Sequence, residues 1–93
     1  MVENVEASNS YLFFTILIEA YNTHEVNQLR GKLWKYGFIK HEDWTYGTDQ
    51  WNRPKLTQAT FTLIVQHEKS RALKAMLKQV DRNTESKITY TQN

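Results

Sequence analysis

The sequence predicts an α+β domain with the element order β-α-β-β-α-β, and three observations predict it. Apolar residues alternate over Tyr11 to Glu19 and again over Leu56 to Gln66, the period of a strand. Apolar residues recur at three- and four-residue spacing after Asn22 and after Glu68, the period of a helix. A chain of 93 residues can bury one core but not two, so these elements must share it.

Residues 1–10 are polar apart from Val2, Val5 and Ala7, and read as a flexible lead-in to one domain over residues 11–93. In the first strand Leu12, Phe14, Ile16 and Ile18 share one wholly apolar face, while Tyr11, Phe13, Thr15, Leu17 and Glu19 share a mixed one. That asymmetry suits a sheet with helices on a single side. Asn22 offers an N-cap with Glu25 three residues on, the capping-box spacing. Val26, Leu29 and Leu33 continue the helix, and Gly37 is placed to end it in a left-handed C′ conformation, giving a span of 23–36.

Phe38 to Tyr46 has the aromatic and β-branched content of a second strand. Residues 47–55, with Gly, Asp, Asn and Pro, read as a loop. In the third strand Ala59, Phe61, Leu63 and Val65 face one side, and Thr60, Thr62 and Ile64 the other. The second helix is expected over 68–81, with Ala72, Leu73, Met76, Leu77 and Val80 on its buried face and Arg71, Lys74, Lys78 and Arg82 opposite. Residues 87–91 make a short last strand. The order is that of a ferredoxin-like fold: a four-stranded antiparallel sheet with two helices on one face.

Composition excludes several function classes. With no cysteine there is no disulfide scaffold, Cys-ligated zinc or thiol nucleophile. The longest apolar run, Tyr11 to Ile18, is too short to span a bilayer and lacks the flanks of a secretion signal, so a soluble cytoplasmic domain is expected. The three glycines stand apart, so no phosphate-cradling loop exists. The sequence holds neither G-x-S-x-G nor H-E-x-x-H. His24, His41 and His67 are too scattered to suggest a ligand set. No metal and no cofactor are expected.

Charge is distributed unevenly. Up to residue 52 the chain has four cations against seven carboxylates; from Arg53 onward it has eight against three. A basic second half attracts phosphate or an acidic partner.

Three features carry candidate chemistry. Glu19 ends the first strand on its mixed face, where an acid can act as a base or hold a metal; the ordinary reading is a solvated strand-end carboxylate. Trp44, Tyr46, Trp51, Arg53 and Lys55 gather rings and cations around the predicted loop. Indole and phenol faces stack on unpaired bases while cations meet phosphate; the competing reading packs Trp44 and Tyr46 into the sheet and leaves Trp51 alone exposed. Arg71, Lys74, Lys78 and Arg82 lie within one arc of the second helix, either a solvated face or a track for a phosphate backbone. The open sheet face, with Phe13, Leu17 and Ile64 among threonines, suits a homodimer interface or a ligand. An RNA-recognition motif would use that face, but its signature is absent from Thr60-Phe61-Thr62-Leu63.

The run Leu33-Trp34-Lys35-Tyr36-Gly37-Phe38, followed by charged residues and Tyr46, resembles the helix-to-strand junction of small ferredoxin-like ribonucleases. These include the VapD proteins, the related CRISPR adaptation nuclease and the GhoS antitoxin. The resemblance implies a homodimeric RNA-acting protein. Metal-dependent members carry an aspartate near the end of the first strand, and the acid nearest that place here is Glu19. The expectation is therefore a small RNA-binding protein, with a toxin–antitoxin endoribonuclease as its catalytic form. The alternative is a protein–protein regulatory or inhibitor module from a mobile element, using the same aromatic hairpin as its hot spot. A small-ligand sensor of the ACT type ranks last, since its glycine-rich loop is not visible.

Overall fold

The computed structural model describes residues 11–20 and 22–93. The lead-in expected over residues 1–10 lies outside the described residues. The elements are β1 (Tyr11–Glu19), α1 (Thr23–Leu33), β2 (Gly37–Thr48), β3 (Pro54–Gln66), a 3-10 turn (His67–Lys69), α2 (Ser70–Asn83) and β4 (Lys87–Gln92). The four strands form one antiparallel sheet in the order β2-β3-β1-β4, which fits the ferredoxin-like topology.

Register explains which residues are buried. Phe14, Ile16 and Ile18 of β1 stand opposite Leu63, Phe61 and Ala59 of β3, and Ile18 also stands opposite Ile88 of β4. These side chains share one face and are buried. Val26, Leu29 and Leu33 of α1 and Leu73, Leu77 and Val80 of α2 join the same cluster. Enclosing a ring such as Phe61 contributes roughly 1.5–3 kcal/mol over leaving it in water. α1 packs on β2 and β3, and α2 packs on β4, so the helices divide the sheet between its two edges.

Two bulges set the phase of the β2–β3 ribbon. Ile39 pairs with Leu63 but His41 with Thr62, so Lys40 is an extra residue in β2. Thr45 pairs with Gln58 but Tyr46 with Leu56, so Thr57 is an extra residue in β3. The second bulge turns Leu56 onto the core face, where it is buried. The extra carbonyl is used: Thr57 C=O accepts from the Ala20 amide at 2.9 Å, just past the end of β1.

Several expectations are corrected. Gly37 does not adopt a left-handed cap; it opens β2, and a Cβ there would run into the backbone carbonyl of Ile64. Close strand approach is its reason for being glycine. The strands run into the predicted 47–55 loop from both sides. The second helix begins at Ser70 after a 3-10 turn and continues to Asn83. Ala72 is exposed, because one residue from Leu73 it is turned about 100° from the buried stripe. Lys74 is half-buried on the flank toward β4 and not on the opposite face.

The capping box forms only by half. The Glu25 amide donates to the Asn22 side chain at 2.9 Å, as the spacing predicts. The Glu25 carboxylate does not return to the cap. It accepts instead from the Ser86 amide (2.9 Å), the Glu85 amide (3.1 Å) and the Ser86 hydroxyl, tying the first turn of α1 to the turn before β4. The Ser86 hydroxyl, followed by these amides, holds the carboxyl below its usual range.

Candidate nucleic-acid interface

Past the end of β1 the β2–β3 ribbon continues as a two-stranded arm, because β1 pairs with β3 no further than Gln58. The arm closes with a three-residue loop. Asn52 N–H donates to Asp49 C=O, and Asp49 N–H to Arg53 C=O, both at 2.9 Å. Asn52 has φ 63°, the left-handed residue that follows a type I turn in such loops. Aspartate at the first position and asparagine in the left-handed one are the residues this turn favours. Asp49 Oδ1 also accepts from the amides of Arg53 and Trp51, each at 2.9 Å. The Arg53 bond, then the Trp51 bond, holds the Asp49 carboxyl below its usual value.

This turn presents one ring and one cation together. Trp51 is 65% exposed at the tip. The Arg53 guanidinium lies over its ring, 5.0 Å from the centre, and Arg53 Nε is 3.3 Å from Asp49 Oδ2. One indole face is thus occupied by the guanidinium, and the pair is held by the same carboxylate that shapes the turn. Lys55 is exposed on β3 opposite Gly47, and Tyr46 is exposed on the helix side of the arm.

Trp44 is placed differently from these four. It is half-buried, meets Phe61 edge-on at 6.1 Å, and donates its indole N–H to Glu42 Oε1 at 2.8 Å. Glu42 also takes both ends of the Arg30 guanidinium at 2.9–3.1 Å. The Arg30 contact first, and then Trp44, keeps the Glu42 carboxyl below its usual range. This network fastens α1 to β2, and sequence spacing gave no sign of it because Arg30 and Glu42 stand 12 residues apart on different elements.

The basic residues of α2 stand apart from the arm. α2 packs at the β4 edge and the arm extends from the β2–β3 edge, so the predicted cations form two separate groups. Arg71, Lys78 and Arg82 are exposed, while Lys74 holds its ammonium 6.0 Å from the ring centre of Phe14. Glu19 is exposed at the end of β1, with Gln58 and Lys87 as its register neighbours. Among the described residues no three His, Asp or Glu side chains gather where a metal could bind. No helix among them is long and apolar enough to cross a membrane.

No protein-family model, curated protein or solved structure matches the chain.

The open sheet face carries Phe13 and Ile64, as the sequence predicts, and with them Phe38 and Trp34, which it did not place there. Phe38, Ile64 and Phe13 pair in one row across β2, β3 and β1, with Phe38 57% and Phe13 40% exposed. Trp34, 45% exposed, meets Phe38 edge-on at 5.7 Å, and Lys40 lies 5.7 Å from the Phe13 ring centre. Trp34 and Phe38 are four residues apart across the helix-to-strand turn.

Proposed function

We propose that the protein binds single-stranded RNA through the tip of the β2–β3 arm. The observation that carries this reading is the Trp51–Arg53 pair, a guanidinium-backed indole shaped by Asp49 at the end of a projecting ribbon. The free indole face offers a base a stacking surface worth about 1–3 kcal/mol. Arg53 donors not directed at Asp49, together with Lys55, meet the adjoining phosphates. Tyr46 offers a second ring on the helix side of the arm. Because the loop is already closed by backbone hydrogen bonds, little ordering has to accompany binding.

The test is fluorescence anisotropy of a labelled oligouridylate titrated with the protein at low and moderate salt. Trp51→Ala is expected to weaken binding about 5- to 100-fold, the range of one lost stacking contact. Arg53→Ala with Lys55→Ala is expected to weaken binding and flatten its salt dependence. Absence of binding at low salt would refute the reading and turn attention to a protein partner. The endoribonuclease form rests on Glu19: cleavage on a gel that Glu19→Gln abolishes while binding persists would support it, and intact RNA would leave a binding protein.

A further inference from the structure

β4 is an edge strand of the sheet, and its outer side turns main-chain groups away from β1. Asn93 N–H donates to Phe13 C=O at 2.8 Å, which makes residues 13 and 93 a hydrogen-bonded pair of the antiparallel ladder. Such pairs alternate with pairs whose main-chain groups point away. By the β1–β4 register, Lys87, Thr89 and Thr91 therefore turn their N–H and C=O groups toward β1, and Ile88, Tyr90 and Gln92 turn theirs outward. Ile88 agrees: its outward N–H is taken by Asp81 Oδ1 of α2 at 2.8 Å. Asp81 acts there as a stand-in for a neighbouring strand. Among the described residues, the outward groups of Tyr90 and Gln92 have no such partner.

The unpaired rungs border a groove of about 660 Å³ between α2 and β4. Its floor is apolar, with Ala75, Leu77, Ile88 and Tyr90, and Ala75 is small enough to leave room above it. On the helix side it is lined by two cations, Lys74 and Lys78, and one carboxylate, Asp81, which is already engaged with the Ile88 amide.

We propose that an extended acidic peptide segment of a partner protein adds to the sheet along β4, with its carboxylates on Lys74 and Lys78. The open main-chain donors and acceptors ask for a strand, which supplies both at the repeat of the ladder. The two ammonium groups select carboxylates. A second copy of β4 fits poorly, since residues 87–92 bring Lys87 and no acid, and would set cation against cation. RNA has no amide ladder with which to fill the rungs. Asp81 fixes where pairing starts: among the described residues Ile88 C=O is the first outward acceptor without a partner, and Tyr90 and Gln92 supply the donors.

The probe is a fluorescein-labelled synthetic peptide of alternating Glu and Val, with a Lys–Val peptide as its counterpart. The Glu–Val peptide is expected to bind and to slow hydrogen exchange at the Tyr90 and Gln92 amides, leaving Thr89 and Thr91, already in the ladder, unchanged. Lys74→Glu with Lys78→Glu is expected to lower its affinity about tenfold or more and to favour the Lys–Val peptide. Gln92→Pro removes one outward donor at an edge position that tolerates proline, and is expected to weaken binding with an unchanged melting temperature. The proposal is overturned if the Glu–Val peptide does not bind, or binds without protecting those two amides. It is also overturned if rising protein concentration alone protects them, which would assign the edge to a second copy, or if the oligouridylate does. The outcome is independent of Trp51, so the RNA reading and this one fail separately.

Discussion

Glu25→Gln isolates a contact that joins two distant parts of the chain. The wild-type carboxylate accepts from three donors, two of them on Ser86, a residue only 2% exposed. Glutamine keeps the shape but offers one acceptor oxygen, and its amide nitrogen turns a donor toward donors. Hydrogen bonds to a charged group are worth about 1.5–3 kcal/mol each, and an unsatisfied donor about 1–3. Because Glu25 is half-buried and retains one good bond as glutamine, the expected loss is about 1–2 kcal/mol. In urea, with a slope near 1 kcal/mol/M for a small domain, the unfolding midpoint moves down by about 1–2 M. The folded carboxyl titrates below its ordinary value, so its contribution is present above the unfolded value of about 4.3 and is lost as pH falls through the lower folded one. Glutamine does not titrate. The gap between wild type and variant is therefore expected to be full at neutral pH and to close at acid pH. Tryptophan-fluorescence urea titrations at several pH values measure it. A gap that stays constant into the acid range, or no gap at neutral pH, would refute the assignment of Glu25 as the charged anchor of the turn before β4.

Gly37→Ala is expected to cost about 1–3 kcal/mol, since its Cβ meets the Ile64 carbonyl and the strands must shift. Gly31→Ala in α1, where nothing lies within 4 Å of an added Cβ, is expected to stabilise by about 0.5–1 kcal/mol; thermal melts of the two variants should move in opposite directions. Leu77→Ala in the buried stripe of α2 is expected to cost about 2–5 kcal/mol, read by the urea midpoint. A homodimer through the open sheet face, as the sequence leads one to expect, would cover Phe13, Leu17 and Ile64, and in that case Phe13→Glu is expected to leave a monomer in sedimentation velocity. A wild-type protein that sediments as a monomer would remove that expectation.

The elements and the core were legible because Phe14, Ile16, Ile18, Phe61, Leu63 and Val65 keep a clean two-residue period, and Leu73, Leu77 and Val80 a helical one. The arm was less so. A period-two reading assumes an uninterrupted ladder, and the bulges at Lys40 and Thr57 each shift the phase by one residue. Leu56 therefore reads as facing away from the core when it is inside. Gly37 was misread for a different reason: a glycine after a helix signals a left-handed cap, and only the neighbouring strand reveals a steric need. Trp51 was legible as exposed, since its turn-rich neighbours leave no apolar surface to cover it. The Arg53 stack on it was not, because it depends on Asp49 closing the turn. The β4 edge was invisible to side-chain reasoning, since it depends on which way backbone groups point.

A ribbon whose register is pinned at two bulges changes length only in steps. Adding one residue to each strand between Thr57 and the turn would carry Trp51 outward by about 3.4 Å and rotate the tip onto the other side of the sheet. Adding two to each would move it about 7 Å and restore its original facing. Insertions that preserve the tip's aim must therefore come in fours, two on each strand. Reach and aim of the arm can thus be varied separately, without touching the core that holds its base.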